Sequence, residues 1–235
     1  MAKRQDERPG AEQWVPEAGG LEALRRAVHD CRGCELWRDA TQAVFSRGPD
    51  DARLMLVGEQ PGDREDQEGE PFVGPAGRLL DDAVAAADID ADRVYRTNAV
   101  KHFRFEQRGK RRIHAKPAVG HVVACRPWLE AELETVRPAV VVALGATAAR
   151  AVLGRTVRIG EVRGMVLESS DPTGTAAVVT AHPSSILRVR DDAERRAAFD
   201  GLAADLRRAA EVALSRGGTL RRLSRPVRQL SRRET

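Results

Sequence analysis

Long apolar runs are missing from this sequence. The longest, AVVVAL at 139–144, is long enough for one buried strand and far too short for a membrane span. The opening MAKRQDERPG has none of the apolar core of a secretory leader, which sets the expectation of a cytoplasmic location away from any membrane. Aromatic residues are few (three Trp, one Tyr, five Phe), so the interior has to be built from aliphatic side chains and alanine. Cysteine occurs three times, as Cys31, Cys34 and Cys125, and without a secretory signal a structural disulfide is not expected.

Charge, by contrast, is plentiful. Charged residues make up 31% of the 235 positions and hydrophobic ones 42%, the balance of a globular protein of one domain. The formal net charge is only +4, but Arg216, Arg221, Arg222, Arg225, Arg228, Arg232 and Arg233 crowd the end of the chain. Residues 215–235 are therefore expected to form a basic, disordered tail that attracts polyanions, nucleic acid before membrane surface. Residues 1–18 are polar and aperiodic and are expected to be flexible, which leaves 19–214 as the folded domain.

From Gly20 onward, Leu21, Leu24 and Val28 recur at helical spacing and lead into a cysteine-containing turn. RLMLVGE (53–59) predicts a strand, and GRLLDDAVAAADI after it a helix. RVYRTNAV (93–100) predicts a second strand, and GHVVACRPWLEAELETV (120–136) a helix kinked or broken at Pro127. AVVVALG with ATAARAVLG gives a further strand and helix, GMVLES and AAVVTAHP later strands, and residues 191–214 a long closing helix. Strands alternating with helices imply a three-layer α/β/α sandwich around a mainly parallel sheet. Ligands of such folds sit beyond the carboxyl ends of the strands.

Three of those ends are unusually polar: GEQPGDREDQEGEPFVGPAGRLLD from Gly58, TNAVK from Thr97 and AHPSS from Ala181. Singly, Glu59 has a duller account as a helix-capping acid, Asn98 as a turn former and His182 as a satisfied loop histidine. Their joint placement favours a site. The three segments resemble the signature motifs of the uracil-DNA glycosylase superfamily, in particular its iron–sulfur branch, and the resemblance runs from about Cys31 to the final helix. It implies the α/β/α sandwich of that family and uracil-containing DNA as partner, single-stranded first with double-stranded as the alternative, met by a monomer associated with the nucleoid. It also implies a role for each matching residue. Gly58 and the ring of Phe72 would hold a flipped uracil. Asn98 would read its polar edge, and His182 would donate to the anion that forms as the glycosidic bond breaks. Ser184 and Arg188, within PSSILR, would contact DNA as part of a wedge entering the minor groove.

The cysteines of DCRGCEL follow a helix rather than open one at a βα turn, which argues against a redox dithiol, and their spacing lets both thiolates face a metal. Spacing alone leaves zinc open. The resemblance implies instead a structural 4Fe-4S cluster on Cys31, Cys34 and Cys125, with His102 standing where the related proteins carry a further cysteine. His121, four residues before Cys125, is the alternative fourth ligand.

FRFEQRGKRRIHAKP (103–117) surrounds His114 with Arg104, Arg108, Lys110, Arg111 and Arg112. One account is a mobile, solvated loop that grips phosphates through Lys110, Arg111 and Arg112, with His114 incidental. GEQPG together with KRRIH also resembles a subgroup of the superfamily, the type X enzymes, which stay covalently attached to the sugar after releasing uracil. That implies His114 as the nucleophile on C1′. Glu59 would orient the imidazole or stabilise the cationic sugar, and Gln60 would fix a water or the loop. The alternatives are a multiple-turnover glycosylase with water as nucleophile, and a non-catalytic iron–sulfur module that binds nucleic acid.

Overall fold

The computed structural model describes residues 8–170 and 174–216; from 217 on, the expected basic tail lies outside the described residues. In chain order the strands are Ser46–Arg47 (β1), Leu54–Gly58 (β2), Val94–Asn98 (β3), Phe105–Arg108 (β4), Arg111–His114 (β5), Val140–Leu144 (β6), Val166–Glu168 (β7) and Ala176–Thr180 (β8). The α-helices are Gly20–Ala27 (α1), Asp63–Glu68 (α2), Pro75–Ala86 (α3), Val119–Val136 (α4), Ala146–Leu153 (α5), Ile159–Val162 (α6), Pro183–Leu187 (α7) and Asp192–Ser215 (α8).

The main sheet has the order β1-β3-β2-β6-β8-β7. Its four inner strands are parallel, and the short β1 and β7 close the rims antiparallel. Every residue of β2, β3, β6 and β8 is buried, because helices cover both faces. Leu54, Leu56, Val140, Val142 and Val178 belong to the core packed with α3 and α8. Met55, Val57, Val141, Ala143 and Val179, the alternate positions, belong to the core packed with α4 and α5. Burial on both sides is why β2, β6 and most of β8 are unbroken apolar runs, while β3 buries Arg96 against Asp81, and the sandwich is the three-layer α/β/α architecture the sequence implies. Parallel alignment brings Gly58, Asn98, Leu144 and Thr180 to one edge of the sheet.

Three expectations meet a different structure. α4 continues through Pro127 from Val119 to Val136. The proline deprives the carbonyl of Val123 of its helical donor, and Val123 is 59% exposed, so water can serve instead. The basic segment is not an open loop: β4 and β5 form an antiparallel hairpin with Phe105 opposite His114, turned at Gly109, whose φ of 59° suits glycine. Of residues 1–18, expected to be flexible, the described part from residue 8 lies against the body of the protein at its start, where Ala11 is buried and Gly10 N–H donates to Gly33 O at 3.1 Å. Among the described residues no helix is long and apolar enough to cross a membrane.

Candidate active site

The strand ends open into a cleft of about 760 Å³ lined by Glu59, Gln60, Phe72, Asn98, His114 and His182, with Ser184 and Arg188 at its mouth. The floor begins at Gly58. A β-carbon there would lie 2.3 Å from Asn98 Oδ1 and 2.7 Å from Phe72 Cζ, so the carboxamide and the ring stand side by side over bare backbone. Phe72 has a left-handed φ of 61°, a conformation that costs a non-glycine residue about 1 kcal/mol or more. Two neighbours hold it there. Gly77 leaves room for the Phe72 carbonyl, which a β-carbon would meet at 1.7 Å. The buried carboxylate of Glu65 accepts N–H bonds from Gly62 (3.1 Å) and Gly74 (2.9 Å), drawing together the two turns that flank the ring.

His182 caps α7. Its Nδ1 accepts the Ser184 N–H at 3.1 Å and lies 2.8 Å from Ser184 Oγ. Burial, with the charges of His114 and Arg188 adding to it, pushes His182 down to about 4, so the ring is neutral at ordinary pH. A neutral imidazole that accepts at Nδ1 carries its proton on Nε2, and the capping bond thereby assigns the tautomer of a hydrogen-bond donor.

The hairpin overhangs this floor. Gln60 Oε1 accepts the Arg104 N–H at 3.1 Å, while Nε2 donates to Arg104 O (3.1 Å) and Ala115 O (3.2 Å), joining both legs at their base. The same Nε2 lies 3.0 Å from His114 Nε2. His114 Nε2 is also 3.6 Å from Glu59 Oε1, and the other Glu59 oxygen accepts from the Thr147 hydroxyl of α5. Arg112, expected among the phosphate-gripping cations, is instead turned inward. Its Nε meets Asp63 Oδ1 and its Nη1 meets Asp66 Oδ2, each at 2.6 Å, and its guanidinium lies over Phe103 and Phe105. Asp66 is fully buried and needs that cation. Lys110 and Arg111 at the turn remain exposed.

Sequence reasoning missed Glu65, Thr147, Asp63 and Asp66. The acids of GDRED gave a signal in their spacing to Gly62, but Thr147 sits in the first turn of α5, after β6, where ATAARAVLG looked merely structural.

The cysteines lie away from the cleft. Cys31, Cys34 and Cys125 are buried free thiols, close enough for the charge on one to bear on the others. Burial, opposed by a backbone hydrogen bond and reinforced by Glu35 and Cys31, pushes Cys34 up to about 11, and burial raises Cys125 further. Trp128 Nε1–H donates to Cys31 Sγ at 3.2 Å and Lys101 N–H to Cys125 Sγ at 3.3 Å, contacts that favour thiolate. His102 is buried, and burial together with Arg32 pushes it down to about 4, which keeps a lone pair free for a ligand. Both nitrogens of His121, the alternative fourth ligand, are engaged: Nδ1 accepts the Ala118 N–H at 3.0 Å and Nε2 meets Glu35 Oε1 at 2.7 Å. Among the described residues no group of three or more His, Cys, Asp or Glu is disposed to hold a metal ion. A tetrahedral zinc, with about 2.3 Å to each sulfur, would need such a group. A cluster relaxes that demand, since each ligand binds its own iron.

The family model of the Uracil DNA glycosylase superfamily matches residues 45–207. A type-4 uracil-DNA glycosylase of Thermotoga maritima is 35% identical over 183 residues, 77% of this chain and 91% of the relative. One from Archaeoglobus fulgidus is 33% identical over 172 residues, 71% of this chain and 83% of the relative. A third, from Pyrobaculum aerophilum, is 31% identical over 173 residues, 72% and 85% of the two chains.

Proposed function

The chain belongs to the uracil DNA glycosylase superfamily, and from that premise we propose that it excises uracil from DNA and then binds the freed sugar covalently through His114. The observation that carries the second half is the position of His114 Nε2, 3.6 Å from Glu59 Oε1 in the same cleft as Phe72, Asn98 and His182.

In this reading the extruded uracil stacks on Phe72 and pairs its polar edge with Asn98. The bond from C1′ to uracil N1 breaks with both electrons leaving on the base. His182 Nε2–H donates to the anion, a contribution of about 3 kcal/mol for a preorganised donor. Glu59 faces the cationic sugar that remains. Gln60 Nε2, 3.0 Å away, shares its two N–H bonds among Arg104 O, Ala115 O and His114 Nε2, and in the reactive tautomer the imidazole proton is on Nδ1 and Nε2 keeps a lone pair. When the sugar displaces Gln60 as partner, that lone pair forms the bond to C1′. The product is an imidazolium beside the Glu59 carboxylate, and uracil takes its proton from water. Exposed Lys110, Arg111 and Arg188 are suited to phosphates, and Ser184 to the strand beside the flipped nucleotide.

The proposal includes a 4Fe-4S cluster on Cys31, Cys34, Cys125 and His102. Buried thiols with N–H donors aimed at two of the sulfurs support it. When bound, the cluster would cross-link the segment after α1 to α4 and to the end of β3.

Intact mass after exposure to a short uracil oligonucleotide tests the covalent step. The expected product is protein plus oligonucleotide less uracil, with one uracil released per protein. His114→Ser should abolish the adduct while uracil release persists with water as acceptor. Free abasic product in molar excess over protein would establish a multiple-turnover glycosylase with water as nucleophile, and no uracil release at all would leave only a binding module.

A further inference from the structure

Lys101 and Glu132 are both completely buried, and their charges meet at 2.5 Å behind the cleft. Burying an ammonium costs several kcal/mol unless every proton finds an acceptor. Here all three do. Lys101 Nζ donates to Glu132 Oε2, to Thr97 Oγ1 at 2.6 Å and to the backbone carbonyl of Asn98 at 3.0 Å. Glu132 is completed by Tyr95 Oη–H at 2.9 Å and Thr97 Oγ1–H at 2.8 Å on its other oxygen. Burial and the adjacent Glu132 charge raise Tyr95 well above the usual phenol value, so it stays a donor.

The third acceptor is the informative one. Asn98 ends β3, and beyond it Ala99 and Val100 donate back to Gly58 and Glu59. Lys101 therefore holds the peptide plane from which the base-reading carboxamide projects. Its own N–H bonds Cys125 Sγ, and Cys125, Trp128 and Glu132 all lie on α4. One helix thus braces two thiols and, through Glu132, the lysine.

We infer that the buried Lys101–Glu132 pair is a positioning device that sets Asn98 for uracil recognition and ties that setting to the cysteine site. The inference rests on Asn98 being the base reader, so its test must separate the two. Single-turnover uracil release, inhibition of that release by free uracil, and affinity for uracil-free oligonucleotide would be measured for Lys101→Met, Lys101→Met/Glu132→Met and Asn98→Ala. The double variant leaves no buried charge unpaired and provides a folded protein where the single variant does not.

The expected result is a loss of roughly 10- to 100-fold in release for both lysine variants, with free uracil a correspondingly weaker inhibitor and affinity for uracil-free DNA unchanged. A purely structural role would lower the melting temperature and leave release and uracil inhibition at wild-type values in the folded protein, which overturns the inference. Should Asn98→Ala itself release uracil normally, the assignment of the base reader fails, and the inference falls with it. If Asn98→Ala is impaired and the lysine variants are not, the inference alone fails.

Discussion

Asn98 is 3% exposed at the end of a central strand, whereas the side chain of His114 is 49% exposed on a ribbon that makes no ladder with the main sheet. The floor of the cleft is set by backbone: parallel register, a left-handed Phe72, a bare Gly58 and a capping bond on His182. The overhang is set by side chains, chiefly Gln60 across its legs and Arg112 on the α2 carboxylates. Recognition of a planar base needs tolerances of a few tenths of an ångström, which a buried strand end supplies. A group that must leave one partner and bond another needs a support that can give way.

That contrast predicts separable losses. The largest belongs to the floor: His182→Ala should slow single-turnover uracil release by about 100- to 1,000-fold, the usual effect of removing one preorganised donor. A loss of adduct with normal uracil release would break the division. Next comes the overhang. Gln60→Ala should lower the rate of adduct formation roughly tenfold, through looser placement of the imidazole, and leave uracil release within about threefold. Parallel decline of both rates on a quenched-flow gel would show that the hairpin also shapes the floor.

The smallest effect is on acid stability. His182 titrates at about 4 in the folded protein against an ordinary value near 6.5 in the unfolded chain, so the unfolded state takes the proton first. Its contribution is intact above about pH 6.5 and is lost as the pH falls toward 4. His182→Asn keeps an acceptor for the Ser184 N–H and removes the titration. Wild-type protein should therefore lose more melting temperature than the variant between pH 7 and 4.5, and equal losses would remove His182 from the account.

The same contrast decides what the sequence reveals. Leu54–Gly58 and Ala176–Thr180 are apolar runs closed by polar segments, Val94–Asn98 is rich in strand formers, and the strand character of all three is plain. Asn98 and His182 stand out by their shared placement at strand ends, and Phe72 by its place in the turn between the first of those ends and α3. The hairpin does not stand out. A ribbon outside the core has two polar faces and no alternation of hydrophobicity, so FEQRGKRR looks like a loop. Arg112 looks like its neighbours, since nothing local distinguishes a cation that reaches 49 residues back to Asp63 from one that faces solvent. His121 and His102 likewise differ only in what folding places beside them. Only the bonds from Ala118 and to Glu35 withdraw His121 from the cysteine site.

Ala115 N–H meets Arg104 O at 3.0 Å, so the chain enters and leaves the hairpin at nearly the same point. A segment with coincident ends is a graft that a tight turn could bridge, though its removal would also take Arg112 from the buried Asp66 carboxylate. The glutamine that receives it lies outside the graft, at position 60. Moving the ribbon onto another scaffold of this architecture therefore takes coordinated edits of the ribbon, its Gln60 socket and the α2 carboxylates that hold Arg112, and the ribbon alone would leave an imidazole without an address.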